Sequence, residues 1–130
     1  MSENFKVEIV NPDQSFFTSE EAKEVVIPAI EGEMGILKDH ISIISFLKPG
    51  IIKINLKDEE QKFYVEDGII EFKDNLLSIL TSKIYSLKNL DQNLINQSLK
   101  DAEKELENSE ISDQSKFIYT QKVEVLKNLN

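Results

Sequence analysis

The residues best suited to acid–base or metal chemistry lie together between positions 31 and 40. Three carboxylates, Glu31, Glu33 and Asp39, accompany His40, which is the single histidine of the 130-residue chain. Carboxylate and imidazole groups transfer protons and bind cations, so the spacing suits a general acid–base pair or a metal site. One histidine without any cysteine falls short of the usual zinc ligand set. The simpler interpretation is a charged loop whose histidine packs or forms a hydrogen bond before an apolar run.

Two glycines, Gly32 and Gly35, bracket Glu33 and Met34 in the same segment. Glycine allows backbone angles that other residues resist, so the spacing predicts a tight loop that presents its side chains outward. A phosphate-binding loop is excluded because no Gly-Lys-Ser/Thr follows the glycines and no strand-to-helix context surrounds them.

The elements that position this segment are predicted to be β-strands. Apolar and polar residues alternate with period two in Phe5–Ile9, as in a half-buried strand. A further strand over Glu24–Ile27 is expected to end at Pro28, and Lys73-Asp74-Asn75 predicts a tight hairpin turn. Other strands are predicted at Ile41–Leu47, at Ile52–Leu56, from Phe63, at Gly68–Phe72 and at Leu76–Leu80. Short strands separated by frequent turns indicate an antiparallel β-sandwich or barrel.

The pattern changes near residue 87, because all three prolines and all four glycines precede it. The remainder therefore predicts two helices, the first capped by Asp91 and the second by Ser112 or Asp113. Their apolar stripes are Ile95, Leu99, Ala102 and Leu106, then Ile118, Val125, Leu126 and Leu129. Helices joined by a short polar connection form an antiparallel hairpin. We expect two domains, a β-sandwich over residues 1–86 and a helical hairpin over residues 87–130.

Composition excludes several classes of function. All 15 basic residues are lysine, and 24 acidic residues bring the net charge to −9. Such a chain is poorly suited to nucleic acids, whose binding depends on clustered cations. The absence of cysteine excludes a disulfide framework and a thiol nucleophile. The first residues lack the features of a secretory or transit peptide, and no apolar run is long enough to span a membrane, so a cytoplasmic address is expected.

Residues 31–40 resemble a characteristic motif of the epsilon subunits of F-type ATP synthases, called delta in mitochondria. That motif is Glu-Gly-Glu/Asp-hydrophobic-Gly-Ile/Val-Leu ending in histidine. Further similar segments are Asn11-Pro12, Phe16-Phe17, Val26-Ile27, Leu47–Ile54, Tyr64–Phe72 and Leu76–Leu80. The resemblance covers residues 5–82 by sequence and residues 87–130 by architecture. Lys38-Asp39 and Asp67 depart from the family pattern at turn positions, where aspartate is acceptable.

The resemblance implies a non-catalytic rotor subunit in the central stalk, without a cofactor. The lack of a transit peptide favours the cytoplasmic face of the bacterial inner membrane, and the Leu37–His40 stretch is also compatible with plastid members of the family. Its implied partners are the gamma subunit and the c-ring, with the alpha and beta subunits within reach of the C-terminal helices. Glu31, Gly32, Glu33 and Met34 correspond to the family's c-ring-facing loop. His40 corresponds to a further rotor interface position.

The resemblance also bears on the C-terminal helices. Some bacterial relatives bind ATP through Asp-x-x-Arg-Ala, but here Leu94 occupies the arginine position and Ile95 the alanine position. We therefore expect no ATP binding of the family type. In bacterial relatives the hairpin lies on the sandwich or extends into the head and blocks hydrolysis. With six lysines, no arginine and a net charge of −2 in residues 87–130, we expect absent or weak inhibition.

Two other functions remain open from the sequence. The chain also fits a free-standing β-sandwich that binds a small ligand, or an enzyme built on Glu33, Asp39 and His40. A stalk subunit would co-purify with gamma, whereas neither of the other two would do so. Replacing His40 by alanine would abolish activity only in the enzyme.

Overall fold

The computed structural model describes residues 3–129, apart from the side chain of Gln14. Residues 1, 2 and 130, the outer ends of the two expected domains, lie outside the described part. The strands are β1 (Phe5–Asn11), β2 (Gln14–Ala22), β3 (Glu24–Ala29), β4 (Gly32–Leu37), β5 (Ile43–Leu47), β6 (Gly50–Asn55), β7 (Glu60–Val65), β8 (Gly68–Lys73), β9 (Leu76–Leu80) and β10 (Ile84–Ser86). A short 3-10 turn (Leu87–Asn89) leads to the helices α1 (Gln92–Leu106) and α2 (Asp113–Asn128).

The strands form one continuous hydrogen-bonded sheet that folds over into two layers. The order is β10-β7-β6-β3-β5-β8-β9-β1-β2, and β4 pairs with β3. A single residue pair, Ala29 with Leu47, joins β3 to β5 where the path passes from one layer to the other. The predicted sandwich is confirmed, although β1 and β9 pair in parallel. Parallel pairing is possible here because the long intervening chain provides the crossover that it needs.

One hydrophobic core lies between the layers. Ile27 and Ile54 enter it from the layer of β3 and β6, and Val7 and Ile70 enter it from the layer of β1 and β8. These four side chains are fully buried. Burying an aliphatic side chain of this size stabilises the fold by about 1.5–3 kcal/mol, so the core accounts for the close packing of the two layers.

The hairpin turn predicted at residues 73–75 is confirmed. Asp74 and Asn75 have φ values of 51° and 59°, as a two-residue type I′ turn requires. The predicted end of β3 at Pro28 is wrong, because the strand runs on to Ala29. Proline lacks an N–H group, but its carbonyl still accepts a hydrogen bond from the Lys48 N–H at 3.0 Å. Its ring also packs closely against the backbone of Gly50.

The C-terminal helices have the expected caps and lie folded against the sandwich. The Leu94 N–H donates to Asp91 Oδ1 at 2.7 Å, and the Ser115 N–H donates to Ser112 Oγ at 3.1 Å. Each cap satisfies a backbone donor that the helix leaves without a partner. α1 packs on α2, and α2 packs on β6, so the predicted hairpin is confirmed.

Candidate functional site

The segment around residues 28–40 is a β-hairpin of β3 and β4. The predicted loop between the glycines is wrong, because the turn consists of Ile30 and Glu31. Gly32, at φ 138°, begins β4 in a backbone conformation that favours glycine. Strand pairing continues from there, with Gly32 opposite Ala29 and Met34 opposite Ile27. Side chains in this segment therefore alternate between the core and the surface.

This alternation determines the exposure of the four residues that are predicted to face the c-ring. Glu31 and Glu33 are exposed and Gly32 is half-buried. Met34 points inward and packs against the hydrophobic core, because it shares a face with the buried Ile27. The outward-facing acidic surface at this turn is therefore formed by Glu31 and Glu33 alone.

The acidic residues and the histidine of this segment lie apart in space. Glu31 and Glu33 flank the start of β4, whereas Asp39 and His40 follow its other end. Six strand residues span roughly 20 Å, so their closeness in sequence does not bring them together. Among residues 3–129, no group of three or more His, Asp or Glu side chains has the geometry to hold a metal ion. The arrangement offers no acid–base pair between the two ends.

His40 is held in place by local contacts. Its Nδ1 lies 2.7 Å from the Ile41 carbonyl oxygen, so the ring donates from that nitrogen. Its ring also meets the edge of Phe72 at a centroid distance of 5.8 Å. His40 is half-buried, and its ring is held against Phe72 of β8.

An exposed apolar face covers the outer side of β5, β8 and β9, and we call it the apolar sheet face. Phe46 lies opposite Ile69, and Ile69 lies opposite Leu80. The exposed fractions are 58% for Phe46, 53% for Leu80 and 67% for the adjacent Ile44. Such contiguous apolar surface is characteristic of a protein interaction site. In the sequence, the only signal was that apolar residues occupy both faces of Ile41–Leu47.

The apolar sheet face extends between the two ends of the 28–40 segment. Its cleft near Leu80 is also lined by Ile30 of the β3–β4 turn. At its opposite end, Ile41 follows His40 and is 78% exposed. β5 is an edge over most of its length among the described strands, since it meets β3 only at Leu47. A partner can therefore contact both the face and the edge of β5.

A second, covered surface lies on the other layer, beneath the helices. Ile51 and Tyr64 are neighbours across β6 and β7, and they pack with Ile95 of α1 and Leu126 of α2. Burial, reinforced by the nearby Glu66 carboxylate, raises the pKa of Tyr64 far above its ordinary range. Its phenol therefore stays protonated and donates a hydrogen bond to Glu66 Oε2 at 3.2 Å.

Leu94 stands in the first turn of α1, where its side chain is exposed and its N–H binds the capping Asp91. A leucine side chain offers no donor to a phosphate. No helix in the described range 3–129 has the length and apolarity needed to cross a membrane.

Comparison with known proteins gives concordant results. The sequence model of a family described as "ATP synthase, Delta/Epsilon chain, beta-sandwich domain" matches residues 4–86. A protein of Pelagibacter ubique named "ATP synthase epsilon chain" is 61% identical over 130 residues, which is 100% of both chains.

Solved structures share the fold at low sequence identity. A chain in the cryo-EM structure of the Euglena gracilis mitochondrial ATP synthase (OSCP/F1/c-ring) matches with a TM-score of 0.76 at 18% identity, covering 99% of this chain and 81% of its own length. A chain in the Tetrahymena thermophila mitochondrial ATP synthase (central stalk/c-ring) matches with a TM-score of 0.68 at 16% identity, covering 98% and 96%.

Proposed function

This chain belongs to the ATP synthase delta/epsilon family, and we propose that it is a non-catalytic subunit of the rotor's central stalk. In this role it joins the gamma subunit to the c-ring, so that rotation of the ring reaches the catalytic head. The chain would lie at the cytoplasmic face of the bacterial inner membrane, held there by its partners. The Tetrahymena thermophila central stalk and c-ring structure, which contains a chain of the same fold, supports this assignment.

The observation that carries the proposal is the apolar sheet face. Ile44, Phe46, Ile69 and Leu80 expose a connected apolar surface on a chain with a net charge of −9. A free protein gains nothing from this exposure, whereas a permanent partner would remove it from water at about 25 cal/mol per Å². We assign this face and the neighbouring edge of β5 to gamma.

The β3–β4 turn is the proposed contact with the c-ring. Glu31 and Glu33 are exposed and add to a net charge of −7 over residues 1–86. They suit polar or cationic groups on the ring. Because Ile30 of the same turn also borders the apolar sheet face, the ring contact would adjoin the gamma contact. His40, at the other end of β5, remains a candidate interface residue.

The helical hairpin is assigned no nucleotide site of the family type, since Leu94 replaces the arginine. Residues 1–86 would serve as the gamma- and ring-binding domain and residues 87–130 as a regulatory domain. Weak inhibition of ATP hydrolysis is consistent with the net charge of −2 and the absence of arginine in this region. To reach the alpha and beta subunits, the hairpin would have to leave its position against the sandwich.

Co-purification with gamma tests the proposal. Phe46→Asp places a charge at the centre of the apolar sheet face and should reduce the recovered gamma at least about ten-fold. Leu94→Asp is the matched control, because Leu94 is also exposed but lies on α1. Both variants should retain the wild-type circular dichroism spectrum. Undiminished recovery of gamma with Phe46→Asp would contradict the assignment of this face.

A further inference from the structure

Glu66 forms a charged cluster where the helical hairpin meets the sandwich. Its Oε2 lies 2.9 Å from Lys122 Nζ of α2, and its Oε1 lies 3.7 Å from Lys83 Nζ. Only 16% of the Glu66 side chain and 17% of the Lys122 side chain are exposed. The pair is therefore largely shielded from water, unlike the exposed surface pairs whose contribution is usually small.

Strand and helix periodicity bring these groups together. Tyr64 and Glu66 are two residues apart and share the outer side of their layer, and the Tyr64 phenol donates to Glu66. Lys122 precedes Leu126 by one helical turn, so both face the sandwich. Leu126 is buried against Tyr64 in the same interface. The apolar contact and the ion pair therefore lie side by side.

Two of the groups that contact the Glu66 carboxylate belong to the sandwich, and one belongs to the hairpin. Tyr64 and Lys83 belong to the sandwich and remain beside Glu66 wherever the hairpin is. Lys122 is the group that the hairpin contributes to this cluster, and it loses this partner when α2 leaves. A charged hydrogen bond at a shielded site is among the stronger single contacts in proteins. The ion pair adds to an apolar contact whose buried residues are Tyr64, Ile95 and Leu126. Six partly buried residues surround them, namely Ile51, Leu87, Leu90, Leu99, Val125 and Leu129.

We propose that the Glu66–Lys122 ion pair is an electrostatic latch that holds the helical hairpin against the sandwich. The latch sets the fraction of molecules in which the hairpin has lifted off. Raised ionic strength opens it, because dissolved ions screen Lys122 and Glu66 once they begin to separate. This inference concerns the chain alone and does not depend on gamma or the c-ring.

Thiol labelling of the full-length chain tests the latch. The chain contains no cysteine, so Leu126→Cys provides a single thiol on α2, buried where the hairpin meets the sandwich. Its labelling rate with a small disulfide reagent measures how often the hairpin opens. In this background, Glu66→Gln and Lys122→Gln should each accelerate labelling about ten-fold, the usual effect of losing a charged hydrogen bond. The double variant should label no faster than either single variant, because both remove the same contact.

Glu60→Gln is the matched control. It breaks an exposed ion pair with Lys62 on β7 and should leave the labelling rate unchanged. Raising potassium chloride from low to high concentration should accelerate labelling in the Leu126→Cys background and have little effect on the Glu66→Gln variant. Lys122 lies on α2, outside the sandwich core, so Lys122→Gln reports on the latch even if Glu66→Gln fails to fold. Unchanged rates in Lys122→Gln, or effects of the two substitutions that simply multiply, would overturn the proposal.

Discussion

Asp39 and Asn75 bind each other reciprocally although 36 residues separate them. The Asp39 N–H donates to Asn75 Oδ1 at 2.7 Å, and Asn75 Nδ2 donates to Asp39 Oδ1 at 3.0 Å. Both residues have positive φ, 66° and 59° respectively, which aspartate and asparagine tolerate better than most residues. The pair ties the β4–β5 turn, and with it His40, to the β8–β9 turn.

We call the two hydrogen bonds between Asp39 and Asn75 the clamp. The first prediction separates the contribution of the clamp to stability from the contribution of backbone strain. Asn75→Gly keeps the turn conformation and loses two exposed hydrogen bonds, so the free energy of unfolding should fall by about 1 kcal/mol. Asn75→Ala also places alanine at positive φ, which should cost a further ~1 kcal/mol. Urea unfolding measures both variants. Asp74→Gly, in the same turn but outside the clamp, should be close to neutral, and equal losses in all three variants would contradict a specific role for Asn75.

Tyr64 predicts a loss of stability in alkaline solution. Its pKa is raised in the folded state by burial first and by Glu66 second, while the unfolded chain retains the ordinary value of about 10. Above that value the unfolded state releases a proton that the folded state keeps. The stabilisation from this group is thus complete below about pH 10 and declines as the pH rises further, by up to ~1.4 kcal/mol per unit.

Tyr64→Phe should remove this part of the pH dependence. Denaturant titrations between roughly pH 9 and 11, where tyrosine begins to ionise, should show a steeper decline for the wild type than for the variant. Parallel curves would show that Tyr64 ionises equally in both states.

The close approach at Gly68 gives a third prediction. Its φ is 151°, and a Cβ atom there would lie 2.7 Å from the Leu80 carbonyl oxygen. Gly68→Ala should therefore lower the free energy of unfolding by about 2–3 kcal/mol. Gly32→Ala is the matched control, since φ is 138° but nothing lies within 4 Å of the added carbon. Thermal unfolding should show a smaller loss of stability for Gly32→Ala than for Gly68→Ala. Equal losses would show that the positive φ, and not the close contact with Leu80, causes the destabilisation.

Charge reversal at the β3–β4 turn tests the proposed ring contact. Glu31→Lys should weaken binding of the chain and gamma to a detergent-purified c-ring about five-fold or more, because it replaces attraction by repulsion. Glu59→Lys, at an exposed loop position after β6, serves as the control. Surface plasmon resonance at low salt gives the largest difference. Equal affinity for the two variants would remove Glu31 from the interface.

Replacement of the family arginine by Leu94 predicts no ATP binding of the family type. Isothermal titration of the chain with magnesium ATP should give no saturable heat. A dissociation constant tighter than about 1 mM would show that lysine side chains of the hairpin suffice. In that event, Lys122→Gln would be the first substitution to test.

The elements that could be predicted from the sequence are those whose structure depends on neighbouring residues. Alternation predicted β1 from Phe5–Ile9 and β6 from Ile52–Leu56, and the stripe from Ile95 to Leu106 predicted α1. Asp91 was predicted as the cap of α1, and Ser112 or Asp113 as the cap of α2, from residue type and position. The hydrogen bonds confirm Asp91 and select Ser112. The turn at Asp74 and Asn75 followed likewise from the local backbone preferences of these residue types.

Tertiary structure decided the features that depend on residues distant in the chain. Met34 turned inward because β4 pairs with β3 in one register, and the loop predicted around it did not form. Pro28 lies within β3, where its carbonyl accepts a hydrogen bond from the Lys48 N–H and its ring packs against Gly50. The residues of the apolar sheet face form one surface, and Glu66 meets Lys122, because segments distant in the chain pack together. Periodicity reports which side of an element is buried, but the identity of the group across from it depends on strand order and helix docking.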